Sequence, residues 1–115
     1  DKIFVVIDAG MNDFMRPALY DAVHKIIPIR KSKSKLKGTI EFVGPICEST
    51  CKFGSYKNYQ KMSENDFVAI TNVGAYGSSL SSNYNSRPLI AELLVNKNKI
   101  KYIRKKQDLL KLINS

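Results

Sequence analysis

The fold is decided by the stretch Thr39-Ile40-Glu41-Phe42-Val43-Gly44-Pro45-Ile46-Cys47-Glu48-Ser49, near the middle of the chain. Its first five residues alternate between polar and apolar side chains, which predicts a β-strand. Gly44 and Pro45 then break the strand and place Cys47 and Glu48 in a loop. Because functional groups concentrate in loops held by a rigid scaffold, this segment predicts a functional site on a β framework.

Strand patterns continue on both sides of this segment. Ile3 to Ile7 is a β-branched and aromatic run, which predicts a buried strand. Ile26 to Ile29 predicts a strand at a sheet edge, because Pro28 cannot donate a backbone hydrogen bond. The strands predicted toward the C-terminus are 66–71, 89–95 and 100–103, the last two joined by a hairpin turn at 96–98.

Short helices and irregular segments connect these strands. Pro17 to His24 is predicted as a helix with Pro17 in its first turn and Asp13 as a candidate cap. Residues 108–113 predict a closing helix. Phe53 to Asn65 shows no period and is predicted to be irregular. Gly74-Ala75-Tyr76-Gly77 predicts a glycine-bracketed turn, and the serine-rich stretch after it suits a short helix.

Short strands separated by turns predict a mainly β domain, a sandwich or barrel with short helices. The 115 residues suffice for one domain with one core, which we place at residues 1–115. The chain does not begin with Met and enters a strand at Ile3. We therefore expect it to be part of a longer protein.

Charge and cysteine content narrow the function classes. The net charge of +9 allows a basic nucleic-acid-binding β-module as one hypothesis. The segment from Arg30 to Lys37 contains no aromatic residue to stack on a base, so a solvated loop is favoured.

No apolar run approaches the roughly 20 residues of a membrane helix. We expect neither nucleic acid nor a membrane as partner, and no metal site, because two cysteines and one histidine cannot supply about four zinc ligands. Reduced thiols in a cytoplasmic protein are the corresponding expectation.

Several side chains are candidates for chemistry, each with a structural alternative. Arg16 and Tyr20 lie four residues apart, so on a helix they share a face and suit a carboxylate clamp. Glu48 beside Cys47 disfavours the thiolate, which suits a proton donor. Tyr76 between two glycines could present its ring to a flat ligand. The alternatives are a solvated arginine with a half-buried tyrosine, a buried small thiol, and a tyrosine packed over a turn.

An ordered set of motifs is more specific than any of these residues alone. The motifs are Asp-Ala-Gly-Met-Asn-Asp from residue 8, Arg-Pro-Ala-Leu-Tyr-Asp-Ala from 16, Gly-Pro-Ile-Cys-Glu-Ser from 44, Gly-Ala-Tyr-Gly from 74 and Ser-Asn-Tyr-Asn-Ser-Arg-Pro from 82. In this order they resemble the C-terminal half of diaminopimelate decarboxylases, which belong to the alanine-racemase-like group of pyridoxal-phosphate enzymes. The resemblance covers roughly Ile3 to Ile103.

The resemblance implies a two-domain enzyme that converts meso-diaminopimelate to L-lysine. An N-terminal (β/α)₈ barrel carries the Schiff-base lysine and most contacts to pyridoxal 5'-phosphate, and a C-terminal β-domain completes the site in a homodimer with shared active sites. By position, Arg16 and Tyr20 match the substrate-binding arginine and tyrosine, and Cys47 matches the proton donor. Glu48 matches the substrate-recognition glutamate, and Tyr76 matches the tyrosine that contacts both cofactor and substrate. The chain by itself is predicted to be inactive.

One departure and several rival interpretations accompany the resemblance. Relatives usually place a small residue and an aspartate after Cys-Glu-Ser, whereas Thr50 and Cys51 follow here. The nearest rival is a decarboxylase of ornithine, arginine or a polyamine precursor, but those typically carry Asp after the cysteine and lack the Arg-Pro-x-x-Tyr clamp. Glu48 and Arg16 therefore favour diaminopimelate. An inactive relic of the enzyme stays possible.

Overall fold

The computed structural model describes residues 1–115 as strands joined by short helices. The strands are β1 (Lys2–Val6), β2 (Ile26–Pro28), β3 (Thr39–Val43), β4 (Lys52–Lys57), β5 (Val68–Ile70), β6 (Glu92–Asn96) and β7 (Lys99–Arg104). The helices are α1 (Arg16–Tyr20), α2 (Gly74–Ser79) and α3 (Leu109–Ile113), with a 3₁₀ turn at Tyr84–Ser86. The predicted mainly β class with short helices is confirmed.

The strands form three small sheets. β3 lies between β1, to which it is parallel, and β4, to which it is antiparallel. β2 pairs with β5, and β6 pairs with β7, both antiparallel. β3 is the central strand of its sheet, and Ile40 and Phe42, which share one face of that strand, are completely buried in the core.

The main core lies between the first two sheets and the segment before α1. It consists of Phe14, Ile26, Ile40, Phe42 and Phe53. Each such side chain contributes about 1.5–3 kcal/mol on burial. Tyr56 and Tyr59 meet the Phe42 ring edge-on at 5.8 and 5.1 Å between centroids.

A second, smaller cluster joins three of the sequence motifs. Met11, Ile46 and Cys51 are buried together, with Met15 and Ala18 packed against them. The cluster therefore attaches the loop after β3 to the loop after β1 and to one face of α1. Both cysteines are free thiols, Cys51 buried and Cys47 exposed.

The structure corrects the expectations for the first helix. The helix was predicted to reach His24, but it ends at Tyr20 because Asp21 adopts a left-handed conformation with φ 52°. Pro17 lies in the first turn, as predicted. Asp13 is not its cap: the N-cap is Met15, without a side-chain hydrogen bond, and Asp13 accepts from the Gly10 N–H at 2.8 Å instead.

Two further expectations are wrong. The irregular segment predicted from Phe53 begins as strand β4, which pairs with the full length of β3. Pairing with a buried strand overrides its mixed composition. The predicted turn at residues 74–77 is the start of α2, whose residue Gly77 is buried. A Cβ at Gly77 would lie 2.1 Å from Val73 Cγ1, so the close packing of this helix requires glycine.

Hydrogen bonds and an ion pair at Arg30 anchor the first residue of the basic segment from Arg30 to Lys37. Arg30 donates to both carboxylate oxygens of Asp66, at 3.0 and 2.6 Å. These bonds, with a further one from the Ser63 N–H, hold the pKa of Asp66 at about 2. Gln60 donates to the Arg30 carbonyl at 2.6 Å. The segment is therefore a tethered surface loop. No helix in the structure has the length and apolar character needed to cross a membrane.

Candidate functional site

Three of the predicted site residues lie together on the surface. The Arg16 guanidinium carbon is 5.9 Å from the Tyr20 ring centre and 5.4 Å from the Tyr76 ring centre. Tyr76 is 64% exposed and Tyr20 is 61% exposed. We call Arg16, Tyr20 and Tyr76 the arginine cluster. The face shared by Arg16 and Tyr20 was predicted from their spacing, whereas the approach of Tyr76 comes from the tertiary fold.

Local structure explains why these side chains meet. Pro17 fixes the backbone of the first turn of α1. Gly74 begins α2 with φ +59°, a conformation that glycine adopts without steric cost. Gly77 packs without a side chain close to Val73 and Phe14. Together these features bring α2, and with it Tyr76, to the exposed end of Arg16.

The loop after β3 presents the other two predicted residues. Its backbone closes on itself through the Gly44 N–H, which donates to the Cys51 carbonyl at 2.8 Å, and the Cys51 N–H, which donates to the Glu48 carbonyl at 3.0 Å. Ile46 and Cys51 are buried while Cys47 and Glu48 are exposed. The thiol of Cys47 therefore faces outward, against the alternative of a buried packing residue.

Gly44 permits a close crossing of backbones beneath this loop. A Cβ there would lie 2.5 Å from both the Ala9 carbonyl oxygen and Cys51 Sγ. The Cys-Glu loop and the loop after β1 are therefore in direct contact at this point. A larger residue at position 44 would separate the two.

Glu48 has a partner that was not singled out from the sequence. The Tyr84 hydroxyl donates a hydrogen bond to Glu48 Oε1. Tyr84 belongs to the Ser-Asn-Tyr-Asn-Ser-Arg-Pro motif, and its place within that motif was the only available signal. Cys47 has no hydrogen-bond partner, and no hydrogen bond or ion pair joins Glu48 to the arginine cluster. We call Cys47 and Glu48 the cysteine–glutamate pair.

A polar network around the buried Asn12 and Asp13 was also missed from the sequence. Arg87 donates to the Asp8 carbonyl at 2.7 Å and lies 3.6 Å from the Asp13 carboxylate. Asn12 is fully buried, and its side chain donates to Asp13 at 3.2 Å and to the Ser82 carbonyl at 3.4 Å. The network ties the loop after β1 to the segment that carries Tyr84.

Comparison with known proteins decides the family. Residues 1–74 match the family model described as pyridoxal-dependent decarboxylase, C-terminal sheet domain. The chain belongs to the pyridoxal-dependent decarboxylases. Because the match covers β1 to β5, it includes the arginine and cysteine–glutamate motifs of this decarboxylase domain.

Individual relatives agree with this assignment. The decarboxylase domain is 47% identical to diaminopimelate decarboxylase of Helicobacter pylori over 95% of the chain and 27% of that protein. It is 40% identical to the Aquifex aeolicus enzyme of the same name, over 93% of the chain and 25% of that protein. The chain thus spans about a quarter of the length of these relatives.

Solved structures share the fold. The Helicobacter pylori diaminopimelate decarboxylase complexed with L-lysine superposes with a TM-score of 0.84 at 45% identity, over 96% of this chain and 27% of that one. The diaminopimelate decarboxylase from M. jannaschii gives a TM-score of 0.87 at 38% identity, over 97% of this chain and 25% of that one. The decarboxylase domain therefore has the same architecture as the corresponding part of these enzymes.

Proposed function

We propose that this domain completes the active site of a diaminopimelate decarboxylase, which removes carbon dioxide from meso-diaminopimelate to give L-lysine. The relatives that carry this name support the proposal over most of the chain. Removal of one carboxylate leaves the distal amino acid end of the substrate unchanged. The protein must therefore hold that end and protonate the carbon that loses carbon dioxide.

The observation that carries the proposal is the free guanidinium of Arg16. It makes none of the four ion pairs of the chain, which are Lys2–Glu41, Arg30–Asp66, Lys52–Glu41 and Arg87–Asp13. Two tyrosine rings flank it and hold its position by cation–π contact. A planar guanidinium in this state can donate two parallel hydrogen bonds to the two oxygens of a carboxylate. Arg16 with Tyr20 is therefore suited to the distal carboxylate.

The cysteine–glutamate pair supplies the complementary groups. The distal end of the substrate carries one carboxylate and one ammonium. With Arg16 bound to the carboxylate, the Glu48 carboxylate is suited to the ammonium, because opposite charges pair. The exposed Cys47 thiol is suited to deliver a proton to the reacting carbon. A carboxylate at position 48 and a thiol at position 47 are therefore sufficient for these two roles.

Tyr76 fits a contact to pyridoxal 5'-phosphate. Its hydroxyl makes no hydrogen bond within the chain and its ring is largely exposed, so both are free for the cofactor. When bound, pyridoxal 5'-phosphate draws off the electron pair left by the departing carboxylate. Tyr76 also contacts Arg16, so it would place the substrate-binding arginine beside the cofactor. Most other cofactor contacts are assigned to the barrel domain.

An N-terminal barrel domain and a second copy of the enzyme are the proposed partners. Hairpin β6–β7 carries exposed apolar side chains on both of its faces, which suits contact with further protein. The family resemblance supports a homodimer in which each active site takes the arginine cluster and the cysteine–glutamate pair from different subunits. We place the enzyme in the cytoplasm because of its proposed role in amino acid biosynthesis.

Substrate choice separates this proposal from its rivals. Ornithine, arginine and polyamine precursors lack a distal carboxylate, so a free Arg16 would have no partner in them. The test is carbon dioxide release by the full-length enzyme that carries this domain, with meso-diaminopimelate, ornithine and arginine as alternative substrates. We expect turnover of meso-diaminopimelate to exceed that of the others by at least about a hundredfold, since a missing polar partner leaves a charged group unpaired. Equal turnover of ornithine would contradict the proposal.

A further inference from the structure

The contact between Tyr84 and Glu48 has a consequence for substrate recognition. Glu48 lies in an exposed loop, where a carboxylate would normally sample several rotamers. The Tyr84 hydroxyl holds one of its oxygens, Oε1. The other oxygen, Oε2, makes no hydrogen bond or ion pair within the chain. Glu48 is thus oriented with one acceptor free.

Hydrogen bonds hold the backbone around Tyr84. The Tyr84 backbone N–H donates to Ser82 Oγ at 3.3 Å, and the Ser82 backbone N–H donates to the Asn12 carbonyl at 2.9 Å. The side-chain amide of Asn83 donates to the Arg87 carbonyl at 2.9 Å and to Gln107 Oε1 at 2.5 Å. These bonds connect the 3₁₀ turn at Tyr84–Ser86 to the loop after β1 and to the segment after β7. These anchored contacts fix the position from which the Tyr84 hydroxyl reaches Glu48.

We propose that Tyr84 is a specificity-determining positioning residue, which orients Glu48 so that Oε2 receives the distal ammonium of the substrate. The proposal rests on the proposed function, since it assigns a task within the same site. A fixed carboxylate loses less conformational entropy on binding than a mobile one. Removal of the hydroxyl should therefore weaken binding of the distal ammonium while leaving proton delivery by Cys47 in place.

Two ligands separate this role from general damage to the site. L-Lysine keeps the distal carboxylate and ammonium, whereas 6-aminohexanoate keeps the carboxylate and lacks that ammonium. Calorimetry on the full-length holoenzyme measures both affinities for wild type and Tyr84→Phe. We expect L-lysine to bind about tenfold more weakly to the variant, equivalent to about 1.4 kcal/mol, with the affinity for 6-aminohexanoate unchanged. The KM for meso-diaminopimelate should rise by a similar factor and kcat should stay within about threefold.

Tyr59→Phe is the matched control, because the Tyr59 hydroxyl also donates one hydrogen bond, to the Ile26 carbonyl at 2.8 Å and not to Glu48, and it should bind both ligands as wild type does. A Tyr84→Phe variant whose L-lysine affinity is within twofold of wild type would overturn the inference, as would an equal loss for both ligands. Absence of meso-diaminopimelate turnover in the wild type would instead reject the proposed function. Thermal unfolding of each variant identifies any loss caused by misfolding.

Discussion

The guanidinium of Arg16 lies 5.4 Å from the ring centre of Tyr76, although the two residues come from different helices. This contact orients a positive charge that has no acidic partner in the chain. Tyr76 therefore has two tasks in the proposed enzyme: it faces the cofactor, and it positions the arginine that recognises the substrate.

Arg16→Lys in the full-length enzyme tests the clamp directly. A lysine ammonium cannot donate in a bidentate arrangement or stack between two rings as a guanidinium does. We expect a loss of about 2–5 kcal/mol in transition-state binding, read as kcat/KM for meso-diaminopimelate. Arg30→Lys, at the base of the tethered surface loop, is the control and should retain nearly full activity. A loss smaller than about threefold would remove Arg16 from the clamp, since that is well under 1 kcal/mol.

Cys47→Ala tests the assigned proton donor. General acid catalysis is typically worth about 10²–10⁴ in rate, so kcat should fall by that factor with a smaller effect on binding. Cys47→Ser should rescue little, because a hydroxyl is a much weaker acid. The measurement is single-turnover kinetics with deuterium incorporation from deuterated water, and exposed Ser49→Ala is the control. Unchanged protonation rate and stereochemistry in Cys47→Ala would assign the acid to another group.

Cys51 has a structural role that its position outside the recognised motif concealed. From the sequence it would serve as a silent control for Cys47, but it is 3% exposed and packs against Met11 and Ile46. Cys51→Ser would bury a hydroxyl in this apolar cluster at a cost of about 1–3 kcal/mol. Urea unfolding should show a lower midpoint for Cys51→Ser than for Cys47→Ser. Equal midpoints would mean that the second cluster contributes little.

The Arg30–Asp66 pair predicts a pH dependence of stability. The bonds from Arg30 hold the pKa of Asp66 at about 2, below the ordinary value of about 3.9. Its contribution is therefore present above about pH 4 and is lost as the pH falls through about 2. Asp66→Asn should lower the urea midpoint at pH 6, and its difference from wild type should disappear near pH 2. Glu64→Gln, an exposed change without a partner, should show no such convergence.

The chain by itself is predicted to produce no lysine from meso-diaminopimelate, with or without added pyridoxal 5'-phosphate. The reason is that the proposed Schiff-base lysine belongs to the barrel domain. Mixing the chain with a separately prepared barrel domain is the companion experiment. Steady lysine production by the purified chain alone would refute the assignment of the cofactor lysine to the barrel.

The sequence predicted the local features that depend on nearby residues. Strand β3 has the predicted bounds, Thr39–Val43, because its alternation matches a sheet with a buried face. The shared face of Arg16 and Tyr20 follows from helical spacing alone. The loop position of Cys47 follows from a strand that ends in a Gly-Pro turn, whereas its exposure does not, since Ile46 in the same loop is buried.

Features that depend on distant residues could not be predicted in this way. β4 contains Gly54 and Ser55, which are poor strand formers, and is stabilised by its pairing with β3. α2 contains two glycines that destabilise isolated helices. The Tyr84–Glu48 bond joins residues 36 positions apart, and the Asn12–Ser82 bond spans 70. No local pattern encodes such pairs.

Hairpin β6–β7 has a consequence for the colloidal behaviour of the isolated domain. The two strands pair only with each other, so each has an open edge, and apolar side chains such as Leu94, Val95 and Ile100 face the solvent. Open apolar edges are templates for intermolecular strand pairing. The net charge of +9 opposes this association by mutual repulsion. Added salt screens the repulsion and leaves the apolar attraction, so the separate domain should remain monomeric in dilute buffer and self-associate as ionic strength rises.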